Sequence, residues 1–415
     1  MAEVHNHWSL WDRYGVEQEY MLVNATSLDV EPKADLLLCD VMGEEIENLE
    51  HDGIGYSNEL VAHVLELKAA QPLTTLHGWS SRIAQEIRTI NDTLRKEGLR
   101  LLPTAAHPWM DPLRETVLWA HGDDSIYRTY DRIFGCQGHG WSNLQSTHLN
   151  LSFQGDDQFA ALHAAVRAVL PLIPALSAAS PYLGGAFCGS LDGRLEVYRH
   201  NQDRIPIITG AVIPEAVFSE AQYEREIFYP IGEAIAPFDP EGLLNKYFLN
   251  SRGAIARFDR GALEIRIIDL QECPDADLVI LQMVSGLLQC LCEERWVSLQ
   301  QLQALKTESL AQTFLDAIRS AEETSIQNSS LLEVFGFARV PIRAGEFWQK
   351  LWPTLNAYVE PALHPIAELL LQRGSLANAL LRLAGVAPSH SRLHTIYSAL
   401  ANSLEGNRPW DGRSC

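Results

Sequence analysis

The chain has 415 residues, and its 32 Lys and Arg against 53 Asp and Glu give a formal net charge of -21. Binding to phosphate backbones or anionic lipid heads depends on clustered Lys and Arg, so we expect neither nucleic acid nor membrane partners. With 47% hydrophobic and 20% charged residues, the chain can bury a large core, which excludes disorder as its main state.

The first half of the chain alternates between predicted strands and helices. Residues 13–24 predict a strand. Residues 73–97 predict a helix, because apolar side chains recur there at steps of three and four, and Gly98 is its expected C-cap. The elements that follow are a strand at 99–105, a helix at 124–135, a strand at 145–153 and a buried helix at 156–178.

The second half is predicted to become helical. Residues 186–270 predict short strands, of which 261–270 is the clearest, and Pro274 then begins a helix that is apolar nearly all round and is expected to be buried. From about residue 297 onward the pattern predicts only helices, at roughly 298–326, 344–358, 361–384 and 390–403.

This layout predicts an α+β fold, with a large, mostly antiparallel β-sheet, flanking helices and a helical C-terminal third. We divide the chain into a core at residues 1–296, a helical C-terminal region at 297–404 that packs on the core, and a polar, solvated tail at 405–415.

From the sequence we expect neither a secretory signal nor a membrane span. The N-terminal MAEVHNHWSL has neither a basic region nor an apolar run, and of the two most apolar stretches, 159–180 contains Arg167 and two prolines while 278–292 is short for a span. The seven cysteines are odd in number and have no CxxC spacing, which argues against a disulfide framework or a Cys-rich zinc site. We therefore expect a cytoplasmic protein with reduced thiols.

Two glutamates of the first predicted strand, Glu17 and Glu19, are two residues apart. Strand geometry places both on one face, about 7 Å apart. Like charges at this distance repel unless water or a cation lies between them. The alternative is a solvent-facing strand edge, because charged outer faces are common on antiparallel sheets.

A second pair, Glu59 and Glu66, lies among apolar residues in SNELVAHVLELK. An unpaired buried carboxylate is costly, so each is either a buried ligand or part of a misread helix surface. A spacing of seven places both on one face of a helix but on opposite faces of an unbroken strand. If the segment is extended, a bend or bulge must bring them together.

In the predicted strand 145–153, His148, Asn150 and Ser152 share one face and the other face is mainly apolar. A lone His in a strand is more often structural than catalytic, but three polar groups in register predict the floor of a wet cleft.

The predicted strand 261–270 has its own polar face. Glu264 and Arg266 share this face with Ile268, and Asp269 is expected on the opposite face with Leu263. A simple ion pair would also explain Glu264 and Arg266.

The order of these motifs resembles that of the glutamate–cysteine ligase and carboxylate–amine ligase family, whose catalytic fold is like that of glutamine synthetase and the guanido kinases. The stretch AHPWMDP at 106–112 resembles the broader carboxylate–amine ligases, whereas the HLNLS form of the third motif favours the glutamate–cysteine ligases. The four family motifs, which together span residues 13–270, are matched by Gly15, Glu17 and Glu19; by Glu59 and Glu66 with Lys68 and Pro72; by His148, Asn150 and Ser152; and by Glu264, Arg266 and Asp269.

The resemblance implies an ATP-dependent ligase that joins a carboxylate to an amine through an acyl phosphate. The favoured substrates are glutamate and cysteine, which would give γ-glutamylcysteine, as in glutathione biosynthesis. Arg266 would stabilise the transferring phosphoryl group, and His148 would contact the phosphates or the metal. Mg²⁺, or Mn²⁺, would be held by a ring of carboxylates, because hard cations take oxygen ligands. The resemblance assigns to this ring Glu17, Glu19, Glu59, Glu66 and Glu264, and to nucleotide or substrate binding Asn150, Ser152, Arg194 and Arg257.

Other functions stay open. A ligase of the same fold could use a different amine or carboxylate, and a non-catalytic scaffold could bind a partner through the helical third. A nucleophile at Cys136 or Cys188 is disfavoured, because buried free cysteines are usually inert. The partners we expect are small-molecule amino acids, and we allow for a homodimer. A metal-dependent hydrolase is disfavoured for lack of an H-E-x-x-H motif, although it could draw ligands from His5, His7, His121, His139 and His148.

Overall fold

An antiparallel sheet forms the centre of the fold in the computed structural model, which describes residues 8–40, 42–43, 45–46, 48–122 and 124–412. His5, His7 and the last three residues of the predicted tail lie outside this part of the chain. The eight strands of the large sheet have the order β2-β3-β4-β1-β6-β10-β9, and β5 pairs with the second half of β1. The strands in the described residues are β1 (Tyr14–Asn24), β2 (Glu50–His51), β3 (Ile54–Asn58), β4 (Val64–Ala69), β5 (Leu99–Leu102), β6 (Ser146–Ser152), β7 (Tyr182–Leu183), β8 (Ala186–Phe187), β9 (Ala254–Arg257), β10 (Ala262–Asp269), β11 (Ser325–Ile326) and β12 (Ile342–Arg343).

Helices surround this sheet and make up most of the C-terminal third, so the predicted fold class is confirmed. Short 3₁₀ turns extend several of them, and a π-helical turn at Glu224–Phe228 joins α9 to α10. The α-helices in the described residues are α1 (Asp35–Leu38), α2 (Trp79–Leu94), α3 (Pro112–Glu115), α4 (Ser125–Phe134), α5 (His139–Ser142), α6 (Gly155–Val169), α7 (Pro174–Ser177), α8 (Gly193–Tyr198), α9 (Glu220–Tyr223), α10 (Tyr229–Ile235), α11 (Lys246–Leu249), α12 (Pro274–Cys292), α13 (Leu299–Gln303), α14 (Thr307–Ser320), α15 (Ser329–Val334), α16 (Ala344–Leu355), α17 (His364–Arg373), α18 (Leu376–Ala384) and α19 (His390–Gly406).

One face of the sheet is covered by helices. Alternation along β1 sends Val16 and Tyr20 to this face, where both are buried. Hydrogen bonds fix the layers, because Trp79 of α2 donates to Gln18 of β1 (3.2 Å) and Thr147 of β6 donates to an Asp of α12 (3.2 Å). The alternate residues of the same strands therefore face away from the helices.

Helix α12 is buried, as its apolar pattern predicts. By length and composition it is the one helix in the described residues that could cross a membrane, but 83% of its most apolar part is buried inside the protein. The core helix of a soluble protein has the same composition, so this helix is weak evidence for a membrane span.

The middle of the chain differs from its prediction as a series of short strands. Between β8 and β9 the described residues form the short helices α8 to α11 and connecting turns. The apolar runs here are short and interrupted by prolines such as Pro206 and Pro230, each of which occupies the first turn of a helix. Proline is tolerated at that position, but it interrupts both the helical and the strand pattern of apolar residues. This interruption explains the wrong prediction.

Glycine and proline also shorten several predicted helices. The helix predicted at 73–97 begins only at Trp79, after Gly78 with φ 76°, and it ends at the expected Gly98 with φ 72°. The helix predicted at 156–178 breaks at the 3₁₀ turn Leu170–Leu172, where prolines follow one another closely. The region after residue 297 also contains the small β11-β12 ladder, so it is not wholly helical.

The C-terminal helices share a core with the sheet. One cluster of buried apolar residues includes both Tyr14 and Leu404, while the domain boundary near residue 297 stays a prediction. The expectation of a solvated tail is wrong at Trp410, which is buried. The backbone of Trp410 donates to Glu272 (3.2 Å) and accepts from Arg373 (2.7 Å), so a buried ion pair holds the tail in place.

Candidate active site

The four strands that carry the predicted motifs lie side by side as β4-β1-β6-β10. Glu19 of β1 pairs with Glu66 of β4, and Glu17 pairs with His148 of β6. Asn150 of β6 in turn pairs with Glu264 of β10. Because paired residues project to the same face of a sheet, these side chains all lie on the face opposite the helices.

A cavity of about 1150 Å³ opens above this face. Despite the net charge of the chain, six Lys or Arg side chains line it against seven Asp or Glu in the described residues. The structure brings together every residue that the sequence predicts for the site, namely Glu17, Glu19, Glu59, Glu66, His148, Asn150, Ser152, Arg194, Arg257, Glu264 and Arg266.

Glu17 is at the centre of the polar face. One carboxylate oxygen accepts from Nδ1 of His148 (3.1 Å) and the other from the amide of Asn150 (3.2 Å). Burial alone would raise the pKa of Glu17, but the hydrogen bond and charge of His148, helped by Lys68 and Arg266, lower this pKa to about 2. Glu17 is therefore ionised at neutral pH.

Glu66 and Glu59 are held on one side of Glu17. Glu66 accepts from Ser57 (2.7 Å) and from the ammonium of Lys68 (2.9 Å). Burial, followed by the charge of Glu17, raises the pKa of Glu66, and burial with neighbouring carboxylates raises the pKa of Glu59 further. The segment is extended, and residues 60–63 supply the required bend between β3 and β4.

Glu19 has partners that the sequence did not predict. One of its carboxylate oxygens accepts both the backbone N–H (2.7 Å) and the hydroxyl (2.9 Å) of Ser146. The same hydroxyl lies 3.0 Å from Nε2 of His148. Ser146 lies two residues before His148 on the same face, so the period of the strand is the signal that could have identified it.

A candidate cation site lies between β4, β1 and β6. Ligand atoms of Glu17, Glu66 and His148 lie within 4.8 Å of one another, and this is the one such group of three in the described residues. Burial and, after it, the neighbouring carboxylates raise the pKa values of Glu59 and Glu66, and a bound divalent cation would oppose both effects. Carboxylate oxygens suit Mg²⁺ or Mn²⁺.

Arg266 and Arg257 lie on the other side of the face. Nε and Nη2 of Arg266 both donate to one oxygen of Glu264, at 3.1 and 2.9 Å. Arg257 pairs with Asp259 (3.1 Å) and lies 3.9 Å from the second oxygen of Glu264. The ion pair considered from the sequence is present, and both guanidinium groups also line the cavity.

A β-bulge changes the predicted placement of Asp269. The register between β10 and β6 shifts between Ile265 and Ile268, so that Asp269 lies opposite Ser146. The extra residue reverses the alternation, which is why Asp269 is on the site's face and not on the opposite face as predicted. Its carboxylate is buried and accepts from Arg194 and from the hydroxyl of Ser180 (2.9 Å).

An aromatic wall also lines the cavity, and no pattern in the sequence predicts it. Its members come from loops and short helices that are far apart in the chain, although Tyr127 is fixed by a hydrogen bond from Asn58 (2.9 Å). Its residues are Trp119, Tyr127, Tyr130, Trp141 and Tyr198.

In the described residues, the structure does not bring the alternative nucleophiles and histidine ligands together in the cavity. Burial raises the pKa of Cys136 to about 12 and also raises the pKa of Cys188, and neither thiol lines the cavity. His139 lies outside the cavity and contacts Asn143 (3.0 Å). His121 lines the cavity, but in the described residues the candidate cation site contains a single histidine.

Comparisons with known proteins agree with this fold and these motifs. The model of glutamate–cysteine ligase family 2 matches residues 13–382. An uncharacterized protein of Archaeoglobus fulgidus is 33% identical over 280 residues, which is 68% of this chain and 75% of that protein. The resemblance to the glutamate–cysteine ligase family is thus confirmed.

Two solved structures share the fold at low sequence identity. A glutamate–cysteine ligase of Francisella tularensis, in complex with AMP, has a TM-score of 0.60 and 12% identity over 95% of this chain and 89% of its own. A bifunctional glutathione synthetase of Pasteurella multocida has a TM-score of 0.63 and 14% identity over 96% of this chain and 53% of its own.

Proposed function

Because the chain belongs to glutamate–cysteine ligase family 2, we propose that it forms an amide bond between a carboxylate and an amine with ATP, through an acyl phosphate. A carboxylate–amine ligase is the activity that family membership supports. We propose glutamate as the carboxylate and cysteine as the amine, on the basis of the strand His148-Asn150-Ser152.

The observation that supports this proposal is one sheet face on which carboxylates and cationic side chains lie together inside a large cavity. Transfer of a phosphoryl group from ATP to a carboxylate brings two dense negative charges together. A site for this reaction needs a metal cation to neutralise charge and fixed cationic side chains to orient the phosphate oxygens. In a chain of net charge -21, the six basic side chains at one cavity supply the fixed cations.

Mg²⁺ or Mn²⁺ fits the donor set. Glu17, Glu66 and His148 would hold one cation, and Glu19, Glu59 and Glu264 are the other carboxylates of the wider ring. When bound, the cation neutralises phosphate charge. Arg266 would contact the transferring phosphoryl group with its planar guanidinium, and Arg257, Asn150 and Ser152 would bind the nucleotide.

The substrates in this proposal are small-molecule amino acids in the cytoplasm, with no nucleic acid or membrane partner, and a homodimer stays a prediction. A ligase that uses a larger amine is the second candidate, because the aromatic wall offers more apolar surface than a cysteine side chain needs. A screen of the twenty amino acids as acceptors, with glutamate present, separates the two candidates.

Hydroxylamine tests the acyl phosphate directly. It should intercept the intermediate as a hydroxamate, and formation should require ATP, Mg²⁺ and the carboxylate together. Cysteine should compete with the trap and suppress the hydroxamate. Release of AMP and pyrophosphate in place of ADP and phosphate would show an adenylate and contradict the mechanism. A scaffold would show neither product nor a melting temperature raised by Mg²⁺ and nucleotide.

A further inference from the structure

Lys68 lies inside the ring of carboxylates. Its ammonium donates to Glu66 (2.9 Å), a ligand of the candidate cation site, and to the hydroxyl of Ser57 (2.5 Å). Of the Lys and Arg side chains in the described residues, Lys68 is the one that forms an ion pair with a ligand of this site. A fixed positive charge therefore lies directly beside the place where the carboxylates would attract a metal ion.

The register of the sheet explains this position. In the pairing of β1 with β4, Glu17 lies opposite Lys68 and Glu19 lies opposite Glu66. These four residues are the corners of one patch, because positions two apart on paired strands share a face. Three corners are carboxylates and the fourth is the ammonium, so strand pairing alone builds one positive charge into the ring.

The two carboxylate oxygens of Glu66 have different surroundings. Oε1 accepts from both Lys68 and Ser57, whereas Oε2 has no hydrogen bond or ion pair in the described part of the chain. Oε2 is therefore free to bind a metal ion together with Glu17 and His148. The ammonium and the metal ion can share Glu66, and neither needs to displace the other.

Glu59 has no cation of its own. Its carboxylate lines the cavity but forms no hydrogen bond or ion pair within the described residues. Burial and neighbouring carboxylates raise the pKa of Glu59, and the charge of Lys68 opposes this rise. A second divalent cation between Glu59 and Glu66 would also satisfy both carboxylates, but it would lie beside the ammonium, and like charges repel at such short distances.

We propose that Lys68 is a fixed cation of the metal ring and takes the place of a second divalent cation between Glu59 and Glu66. Its role is to hold Glu66 for the bound metal ion and to balance the charge of the two carboxylates. The protein then binds one divalent cation fewer than it would with an uncharged residue at this position. The inference rests on the proposed function for its metal site, and it adds a positioning residue to that site.

Counting bound Mn²⁺ tests this role without requiring turnover. Titrations of the nucleotide-free protein, followed by the electron paramagnetic resonance signal of free Mn²⁺, give the number of ions bound. Lys68→Gln should bind one Mn²⁺ more than the wild type, whereas Lys68→Arg keeps the charge and should bind the wild-type number. Lys33→Gln is the matched control, because Lys33 pairs with Glu31 (3.9 Å), is similarly exposed and does not line the cavity. Lys68→Met replaces Lys68→Gln if the latter does not fold.

Each outcome decides the inference. An additional ion in the uncharged Lys68 variant alone supports it. An unchanged number of ions, or an additional ion in Lys68→Arg or Lys33→Gln, overturns it. Tighter binding of the same number of ions would show that the ammonium and the metal ion compete for Glu66, which also overturns it. If the additional ion is found but no ADP forms with any acceptor, Lys68 retains this role and the ligase proposal fails. If ADP forms but the number of ions is unchanged, the ligase proposal stands and this inference fails.

Discussion

Replacing Glu66 by Gln tests the candidate cation site through two effects of opposite sign. Burial and the charge of Glu17 raise the pKa of Glu66 in the folded protein. At a pH above the ordinary pKa of a glutamate, ionised Glu66 therefore destabilises the folded state, because the unfolded chain ionises more easily. Bonds from Ser57 and Lys68 offset part of this cost. Without Mg²⁺, Glu66→Gln should therefore leave the free energy of unfolding unchanged or raise it by about 1 kcal/mol.

With Mg²⁺ the same substitution should lower the stabilisation that the cation provides. At a concentration 100 times its Kd, a ligand adds about 2.7 kcal/mol to the free energy of unfolding. Loss of an outer-shell partner typically weakens metal binding about 10- to 100-fold, and loss of a carboxylate ligand should cost at least as much, so we take about 30-fold. The ratio of concentration to Kd then falls to about 3, and the added stability falls to about 0.9 kcal/mol.

Urea unfolding with and without Mg²⁺ measures both effects. Glu86→Gln is a suitable control, because Glu86 is equally buried but is bonded to His51 and Tyr56 outside the cavity. Glu264→Gln separates two hypotheses about the cation site. If five glutamates contribute equally, Glu264→Gln should lose as much Mg²⁺ stabilisation as Glu66→Gln. The observed geometry predicts a smaller loss of Mg²⁺ stabilisation, because Glu264 is bonded to Arg266. Full Mg²⁺ stabilisation of Glu66→Gln would refute the candidate site.

Three further predictions concern other parts of the molecule. Arg266→Lys should reduce ADP release about 100-fold, but it should lower the free energy of unfolding by only about 1 kcal/mol. Parallel losses of activity and stability would instead indicate a structural ion pair. Trp410→Ala should lower the free energy of unfolding by about 3–5 kcal/mol in urea titrations, whereas Ala at the exposed Arg408 should have little effect. Burial lowers the pKa of His107 to about 4. As pH decreases from about 6.5 to 4, the unfolded chain is protonated first, so the free energy of unfolding should fall. His107→Gln should make the free energy of unfolding less dependent on pH over this range, as measured by acid unfolding.

Local periodicity was sufficient to predict the polar face of the sheet. A strand has a period of two, so Glu17 and Glu19, or His148 and Asn150, must share a face wherever the strand is unbroken. The structure confirms both pairs on one face and brings all the predicted site residues to one cavity. These predictions succeeded because each depends only on neighbours within one element.

Predictions that depend on distant parts of the chain were less successful. Whether Glu59 and Glu66 share a site is decided by the bend at residues 60–63, which has no glycine or proline to mark it. The aromatic wall gathers side chains from separate loops, and no period within one segment could indicate it. The short helices between β8 and β9 are too brief to show a period of 3.6, so packing and proline positions determine them.

In the fourth motif, E-x-R-x-x-D, the spacing of the residues is as informative as their types. An odd spacing of five places Glu264 and Asp269 on opposite faces of a regular strand, so both ends can belong to one site only if the strand contains a bulge. The structure has that bulge between Ile265 and Ile268, and the bulge aims Asp269 at Arg194. A regular strand with the same spacing of five would turn Asp269 to the helix-covered face and leave Arg194 without its partner. The spacing of the motif therefore predicts the irregularity that places Asp269 beside Arg194.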